Sequence, residues 1–493
     1  MKTLRLLFAV LAVGGALVAC KPDGPQPEPK SSECRLTLFN ALAEDYAVVG
    51  FVDQADKSVE LPYMESQLEG LKNATAMVRI SENATISPDP AVERDYTVEG
   101  GVNFTVTAED GVSKTVYNIY TAPAVMKQAV VKKWAKKLPV SGKANNDCGV
   151  AFVDYDKVAF ADLSIVDLDG NIIDTLNVEG VTGLLTYGDG TIKSDKQLAS
   201  MSNDKNGVLV AVTAYEGTYE DGSVGCRTEV YAWVDGYSNP PTKIYGPVDY
   251  QCMYMSVAGD VKGEFILNFR TGVSQPPQMH HVLVYKGGGY FKADGSPNCT
   301  WYGPKINHPS NDGCWGQQLS FFSGNPEDGF VCWDSLAAAE YGDTGNASSA
   351  YYYYSSLSGF MSGSVDEVAL KGCVTWGKWD SEGQRFQYGN HSYGHVRAFK
   401  YIGEKYIVAS SNSWPCGWVT IQRGDSYVED DEETDEVDES AVNYLLPTDR
   451  IEGGQYNPPC SAYVYDPVTG TGHVIFETMG GTVVSYDLTT TIL

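Results

Sequence analysis

A unit of four short strands recurs through the last three quarters of this chain. The clearest copy, residues 198–247, consists of alternating or β-branched runs separated by turn sequences such as Asn203-Asp-Lys-Asn-Gly207 and Asp235-Gly236. Asn, Asp and Gly tolerate the positive φ that tight hairpins need. Four short antiparallel strands make one blade of a β-propeller, so the unit predicts an all-β fold of that kind.

The second strands of successive copies begin near Lys157, Val208, Glu264, Phe330, Tyr406 and His473. Repeats at this spacing, without helical periodicity, predict a propeller over residues 123–493. We expect six blades, or seven if residues 374–388 form another hairpin. The last copy is one strand short, so a strand near 129–134 should pair with 482–488 and close the ring, which removes exposed sheet edges.

The N-terminus has the pattern of a targeting segment. Lys2 and Arg5 precede an apolar stretch, residues 6–18, that is too short to span a bilayer, so we interpret residues 1–19 as a signal peptide. The following Leu17-Val-Ala-Cys20 resembles a bacterial lipobox, which implies cleavage before Cys20 and lipidation of its thiol. The alternative is a plain secretory signal. Residues 20–33 then form the lipidated cysteine and a Pro-rich tether.

Residues 34–122 differ in character from the repeats. Strand-like runs occupy 35–39, 58–61, 76–80, 102–107 and 115–120, and Asp110-Gly111 provides a hairpin turn between the last two. This density of short strands predicts an Ig-like β-sandwich. The predicted fold class is therefore all-β, with an Ig-like sandwich followed by a propeller.

Two stretches of the predicted sandwich carry a family resemblance. Asn83-Ala-Thr-Ile-Ser-Pro88, and Val106-Thr-Ala-Glu-Asp-Gly111 followed by Tyr117, resemble the Ig/PKD-like modules of Bacteroidetes lipoproteins. With a lipobox before the module and blades after it, the chain resembles cell-surface lipoproteins of the glycan-utilisation type. That resemblance implies an outer-membrane, lipid-anchored protein at the cell surface that works beside an outer-membrane transporter.

Charge and motifs narrow the function further. The formal net charge of −28 excludes nucleic acid as a partner and leaves the lipid anchor as the sole membrane contact. The sequence contains no G-x-S-x-G, H-E-x-x-H or P-loop motif, so no catalytic residue is predicted. The leading hypothesis is non-catalytic capture of a glycan or other small nutrient for the transporter. The alternatives are an adhesion or protein–protein scaffold, and a propeller-type glycan lyase or hydrolase.

The predicted ligand site lies on one face of the propeller. Loops between second and third strands share this face with the connections between blades, and they carry most of the insertions; we name it the insertion face. Seven of the nine Trp residues fall between positions 301 and 418. Aromatic rings stack on sugars while polar groups bond the hydroxyls, although such rings also pack between blades. The candidate ligand-binding residues are Trp315, Tyr393, Trp414, Asn311, Asp312, His391 and Asn412.

No metal site is predicted. His391 and His395 are four residues apart on a predicted loop, and Asp167-Leu-Asp-Gly-Asn171 lacks the downstream Glu of a calcium-binding EF-hand, so we expect a hairpin turn there. Residues 425–439 hold ten carboxylates between the third and fourth strands of the fifth blade. They predict a solvated loop, with weak Ca²⁺ binding or docking to a basic partner as the alternative. No other cofactor is expected.

Overall fold

The structure is a computed structural model in which nearly all regular elements are strands. It describes residues 30–43, 46–139, 149–188, 191–196, 198–218, 222–250, 252–271, 280–302, 318–334, 350–354, 379–380, 385–386, 395–413, 416–424, 429–430, 437–438, 444–452, 460–478 and 482–493. The proposed signal peptide, Cys20 and most of the tether lie outside these ranges, so they stay predictions. Within the described ranges, no helix is both long enough and apolar enough to cross a bilayer.

The N-terminal part is a two-sheet sandwich with a one-turn helix, α1 (Leu68–Leu71). Its strands are β1 (Leu36–Leu42), β2 (Ala47–Val49), β3 (Phe51–Asp53), β4 (Ser58–Tyr63), β5 (Thr75–Ile80), β6 (Thr85–Ser87), β7 (Val102–Thr107) and β8 (Lys114–Pro123). One sheet has the order β2-β1-β5 and the other β3-β4-β8-β7-β6. Between the two sheets, Phe39, Tyr96 and Phe104 are fully buried and their rings contact one another, which gives this small unit its core.

The first three blades follow a long strand, β9 (Met126–Lys137). Blade 1 comprises β10 (Val150–Asp154), β11 (Lys157–Phe160), β12 (Ser164–Asp167) and β13 (Ile172–Thr175). A hairpin of β14 (Leu185–Gly188) and β15 (Thr191–Lys196) leads to blade 2, which comprises β16 (Ser200–Asn203), β17 (Leu209–Thr218), β18 (Val224–Ala232) and β19 (Thr242–Val248). Blade 3 comprises β20 (Cys252–Gly259), β21 (Glu264–Thr271), β22 (His280–Lys286) and β23 (Cys299–Tyr302).

The remaining blades follow the same order. Blade 4 is described by β24 (Gln318–Phe321), β25 (Phe330–Asp334) and β26 (Ala350–Tyr354), after which β27 (Trp379–Asp380) and β28 (Arg385–Phe386) form a separate hairpin. Blade 5 has β29 (His395–Tyr401), β30 (Glu404–Ser413), β31 (Cys416–Arg423), the short pair β32 (Glu429–Asp430) and β33 (Val437–Asp438), and β34 (Tyr444–Glu452). Blade 6 has β35 (Cys460–Asp466), β36 (Thr471–Glu477) and β37 (Thr482–Ile492).

The inner strands of the blades form a closed ring. Each contacts the inner strand of the next blade, in the order β10, β16, β20, β24, β29, β35 and back to β10. The described strands therefore close with six blades, and the hairpin β27–β28 within residues 374–388 does not add a seventh to the ring. The predicted fold class is confirmed: an all-β chain with an Ig-like sandwich followed by a six-bladed propeller.

The ring is fastened by a strand from outside the last repeat. β9 pairs antiparallel with β37 along its length, from Thr482 opposite Lys137 to Ile492 opposite Met126, and so becomes the fourth strand of blade 6. This is the pairing that the sequence predicted for residues 129–134 and 482–488, and in the structure it covers residues 126–137 and 482–492. Because the pairing joins segments more than 300 residues apart, it ties the start of the propeller to its end.

Serine side chains link the inner strands around the axis. Ser200 and Ser202 in β16 accept hydrogen bonds from the backbone N–H groups of Met255 and Val257 in β20, at 3.1 and 3.2 Å. Ser320 in β24 accepts from the N–H of Ala398 in β29 at 2.8 Å. An inner strand has no strand partner on its axial side, so these hydroxyls satisfy backbone donors that would otherwise be buried without an acceptor.

The sandwich packs against the propeller face opposite the insertion face, which we name the base face. Its cluster of buried apolar residues is continuous with that of blades 5 and 6. The Asn40 amide donates to the carbonyls of Pro467 and Val468 at 2.7 and 3.0 Å. The Tyr465 hydroxyl accepts from the N–H of Ala47 and donates to its carbonyl, at 3.1 and 3.0 Å. The insertion face is therefore turned away from the sandwich.

The interface gives a first prediction, on stability. Asn40 is fully buried, and Asn40→Ala leaves the part-buried carbonyls of Pro467 and Val468 without this donor, while the N–H of Gly50 keeps the Phe39 carbonyl as its acceptor. We expect it to lower the free energy of unfolding by about 1–3 kcal/mol in urea denaturation. Asn118→Ala, which removes hydrogen bonds that are exposed on the sandwich, is the control and should change it by about 0.5 kcal/mol or less. Equal stability of the two variants would contradict an interface held by Asn40.

Two stretches differ from their sequence interpretation. The connection between blades 1 and 2 contains the hairpin β14–β15, which the sequence analysis did not predict, and Leu185 pairs with Ala214 to attach it to blade 2. In the acidic stretch the structure pairs Glu429–Asp430 with Val437–Asp438, so a short hairpin replaces part of the predicted loop. The Asp167–Asn171 turn is confirmed, because the Asp167 carboxylate accepts from the N–H groups of Asp169 and Asn171.

Candidate functional site

The predicted ligand-binding residues fall largely outside the described ranges. Trp315, Tyr393, Trp414, Asn311, Asp312 and His391 are not among the described residues, and Asn412 lies in β30 with its side chain outside the described set. The site at these positions therefore stays a prediction. Of the seven tryptophans between 301 and 418, Trp301 is the one whose side chain the structure describes.

Trp301 lies on the outermost strand of blade 3. In β23 it stands opposite Leu283 of β22, and 53% of its surface is exposed. Alternation along the strand directs Cys299 and Trp301 to the same side, towards blade 2. At the outer rim, adjacent blades no longer cover each other completely, so this large ring stays partly in solvent.

A buried histidine holds the exposed indole. The Trp301 Nε1–H donates to His281 Nδ1 at 3.1 Å, and the two ring centroids are 5.7 Å apart at 46°. His281 is 5% exposed and lies near the start of β22, on the insertion side of the blade. Because Nδ1 accepts a hydrogen bond, the neutral ring carries its proton on Nε2. The indole cannot rotate without losing this bond.

Further aromatic rings surround the histidine. Phe269 stacks on His281 at 5.0 Å and 15°, while Tyr250 lies 5.1 Å from it at 32°. Tyr245 contacts Phe269 at 5.5 Å, and its hydroxyl is 2.9 Å from that of Tyr250. These five residues, Tyr245, Tyr250, Phe269, His281 and Trp301, line the junction of blades 2 and 3, which we name the blade 2–3 seam.

The seam is uncharged at neutral pH. Burial lowers the pKa of His281 to about 4, because the apolar surroundings disfavour the protonated ring. Burial also raises the pKa of Tyr250 well above its usual range. His281 Nε2 is buried and has no hydrogen-bond partner among the described residues, which makes the charged form costlier still.

The depressed pKa gives a second prediction, on acid stability. The unfolded chain binds a proton at His281 below about pH 6.5, whereas the folded ring stays neutral down to about pH 4. The stability linked to the neutral ring is thus fully present above pH 6.5 and is lost as the pH falls towards 4. Between pH 7 and pH 4.5, wild type should lose about 2–3 kcal/mol more than His281→Phe in urea denaturation. Parallel pH profiles for the two proteins would contradict a buried, neutral His281.

This arrangement is suited to holding the face of a sugar ring. An exposed aromatic ring that is already fixed loses little conformational freedom when a sugar stacks on its C–H face. The described residues contain no cluster of His, Cys, Asp and Glu that could hold a metal ion. The seam therefore offers an exposed ring on which a flat ligand can stack.

Trp301 belongs to the tryptophan-rich stretch noted in the sequence, but its partner His281 was not predicted. A usable signal was present, since His281 shares its strand face with Leu283 and Tyr285, and that pattern predicts a buried ring. The hydrogen bond to Trp301 joins adjacent strands at a register that the sequence alone does not specify.

The chain is a sandwich-and-propeller protein with an exposed aromatic ring at a blade junction. Residues 39–120, in the sandwich, match the family model "SGBP, N-terminal", the N-terminal domain of surface glycan-binding proteins of the Bacteroidetes type. The match covers the sandwich and leaves the propeller outside it. A search of curated proteins finds no match to the chain.

Several solved structures are similar in part. A DUF4623 family protein from Bacteroides eggerthii has 11% identity and a TM-score of 0.42, over 93% of this chain and 99% of that one. A protein of unknown function from Dyadobacter fermentans has 10% identity and a TM-score of 0.35, over 74% and 100%. Trypanosoma rangeli sialidase has 9% identity and a TM-score of 0.26, over 91% and 59%. These TM-scores lie below 0.5, so the likeness indicates neither a shared activity nor a shared ligand.

Proposed function

We propose that this protein captures a neutral glycan at the bacterial cell surface without transforming it. The observation that carries the proposal is the exposed Trp301 ring, fixed by the buried His281. The match of residues 39–120 to the surface glycan-binding model supports the same class of ligand. A chain with a net charge of −28 repels polyanions, so an uncharged glycan is favoured over an acidic one.

The arrangement of the domains supports presentation away from a membrane anchor. Ser31 is hydrogen-bonded to Glu109 and Asp110, so the chain enters the sandwich beside the β7–β8 turn. From there β8 runs ten residues, roughly 33 Å at a strand rise of about 3.3 Å, towards the propeller. In our proposal a lipid on Cys20 holds the sandwich at the outer membrane, and the insertion face looks outward. Delivery to an outer-membrane transporter is the remaining step that we propose.

The function is tested by affinity electrophoresis. The purified protein is run in native gels containing amylopectin, galactomannan, arabinoxylan or laminarin, with the acidic polysaccharides alginate and polygalacturonate in parallel gels. We expect retardation by at least one neutral polysaccharide and by neither acidic one. Migration unaffected by every neutral polysaccharide would contradict the proposal, whereas retardation by the acidic ones alone would reverse the assigned ligand class.

A further inference from the structure

A cavity lies at the base end of the blade 2–3 seam. It has a volume of about 310 Å³ and opens between the turns of blades 2 and 3. That size falls at the lower end of small-molecule sites, which are mostly apolar pockets with a few polar groups. We name it the base pocket and define it by six of its lining residues, Asp235, Lys262, Gly263, Phe265, Tyr285 and Tyr290.

The floor and one wall of the base pocket are aromatic. Phe265 and Tyr285 stack at 4.2 Å and 6°, and both are buried. The Tyr290 ring meets Phe265 edge-on at 6.2 Å, and its hydroxyl donates to the Val261 carbonyl at 3.0 Å, which fixes this ring across the pocket. Phe265 and Tyr285 are covered, so the half-buried Tyr290 ring is the aromatic surface of the pocket on which a sugar could stack.

The rim of the base pocket is rigid and polar. Gly287, Gly288 and Gly289 have φ values of 81°, 80° and 94°, a backbone conformation that residues other than glycine rarely adopt. The Asn298 amide donates to the carbonyls of all three at 3.1–3.4 Å and so holds the loop in place. Asp235 and Lys262 are exposed at the opening, where a carboxylate and an ammonium group can bond sugar hydroxyls.

The base pocket lies in line with Trp301. Trp301 stands opposite Leu283, and Tyr285 follows two residues further along β22 on the same side of the sheet. Gly287 is two residues beyond, so the pocket begins roughly 7–13 Å from Trp301 at a strand rise of about 3.3 Å per residue. The sandwich packs on blades 5 and 6, across the ring, and its described residues do not cover this end of the seam.

Building on the proposed function, we infer that the base pocket holds a further sugar residue of the glycan that stacks on Trp301. The glycan then runs along the outer rim of the blade 2–3 seam, with one ring on the indole and another beside Tyr290. Two linked contacts act together, because the second forms intramolecularly once the first is made. Long glycans should therefore bind more tightly than short ones.

The test uses Gly263, which lines the base pocket and tolerates a side chain. Its backbone is outside the left-handed region, and the nearest heavy atom to an added Cβ is the Asp260 carbonyl oxygen at 3.9 Å. Gly263→Leu should fill the pocket, whereas Gly263→Ala should leave it open. In gels containing the neutral polysaccharide of the panel that retards wild type, Gly263→Leu should bind about tenfold more weakly, and Gly263→Ala should bind as wild type does.

Asp235→Ala provides a second variant should Gly263→Leu melt early. This substitution removes an exposed carboxylate that can accept hydrogen bonds from sugar hydroxyls. It should weaken the retardation a few fold at an unchanged melting temperature. Wild-type binding by both Gly263→Leu and Asp235→Ala, with binding lost in Trp301→Ala, would overturn the base pocket and leave the proposed function intact. Failure of wild type itself to bind any of the four neutral polysaccharides would overturn both.

Discussion

Trp301→Ala should bind the glycan about ten- to a hundredfold more weakly than wild type, and it should lower the free energy of unfolding by less than a core substitution does. Truncation of an aromatic anchor typically costs about 1–3 kcal/mol of binding free energy, which corresponds to that change in the dissociation constant. Because 53% of the Trp301 surface is exposed, removing the ring sacrifices less buried area than a core substitution does. Isothermal titration with the retarding polysaccharide gives the binding constant, and urea denaturation gives the stability.

His281→Phe tests whether the hydrogen bond that fixes the Trp301 ring contributes to binding. It keeps a ring beside Phe269 but removes the acceptor for the indole N–H, so Trp301 remains present and is no longer fixed. We expect binding intermediate between wild type and Trp301→Ala. If Trp301→Ala binds with wild-type affinity while fully folded, the stacking surface on blade 3 is not where the glycan binds.

Trp233→Ala should show the opposite pattern, with a loss of about 3–5 kcal/mol in the free energy of unfolding. Trp233 is 2% exposed, and its Nε1–H donates to the Asn177 carbonyl at 2.6 Å. It packs in the apolar cluster of blades 1 and 2, beside Leu163 and Leu176. Its removal therefore leaves a cavity between two blades and an unpaired carbonyl.

The glycan affinity of Trp233→Ala, measured where the variant is still folded, should equal that of wild type. The two tryptophans thus form a matched pair, one exposed at a rim and one buried at a junction. If Trp233→Ala instead lost affinity at unchanged stability, the assignment of Trp233 to structure and Trp301 to binding would be wrong.

The repeats were predictable because local turn chemistry determines where hairpins reverse. β11, β21 and β25 begin at Lys157, Glu264 and Phe330, the positions at which the turn residues predicted second strands. The closing strand was also predictable. The last blade lacked a fourth strand, and residues 129–134 formed a strand-like run that belonged to no blade, so pairing the two covers an exposed sheet edge. In these cases the deciding interactions are between residues close in sequence, or follow from the need to cover a sheet edge.

The features that escaped prediction depend on contacts between distant parts of the chain. The pairing of Asn40 with Pro467 and Val468 requires two folded surfaces to meet, and neither surface carries a local signal. The His281–Trp301 bond likewise depends on strand register and on how far adjacent blades separate at the rim. Hydrophobic periodicity indicates which face of a strand is buried, but not which partner it meets there.

Contact between the glycan and the Trp301 ring can be followed through the indole resonances of ¹⁵N-labelled protein during a glycan titration. Trp301 and Trp233 are identified by the loss of their signals in Trp301→Phe and Trp233→Phe, and their contrasting exposure makes Trp233 the internal control. The structure predicts that an oligosaccharide of the retarding polysaccharide shifts the Trp301 indole signal progressively to saturation, while the Trp233 signal stays in place. Saturable binding of the oligosaccharide with an unmoved Trp301 signal would show that the glycan does not stack on Trp301.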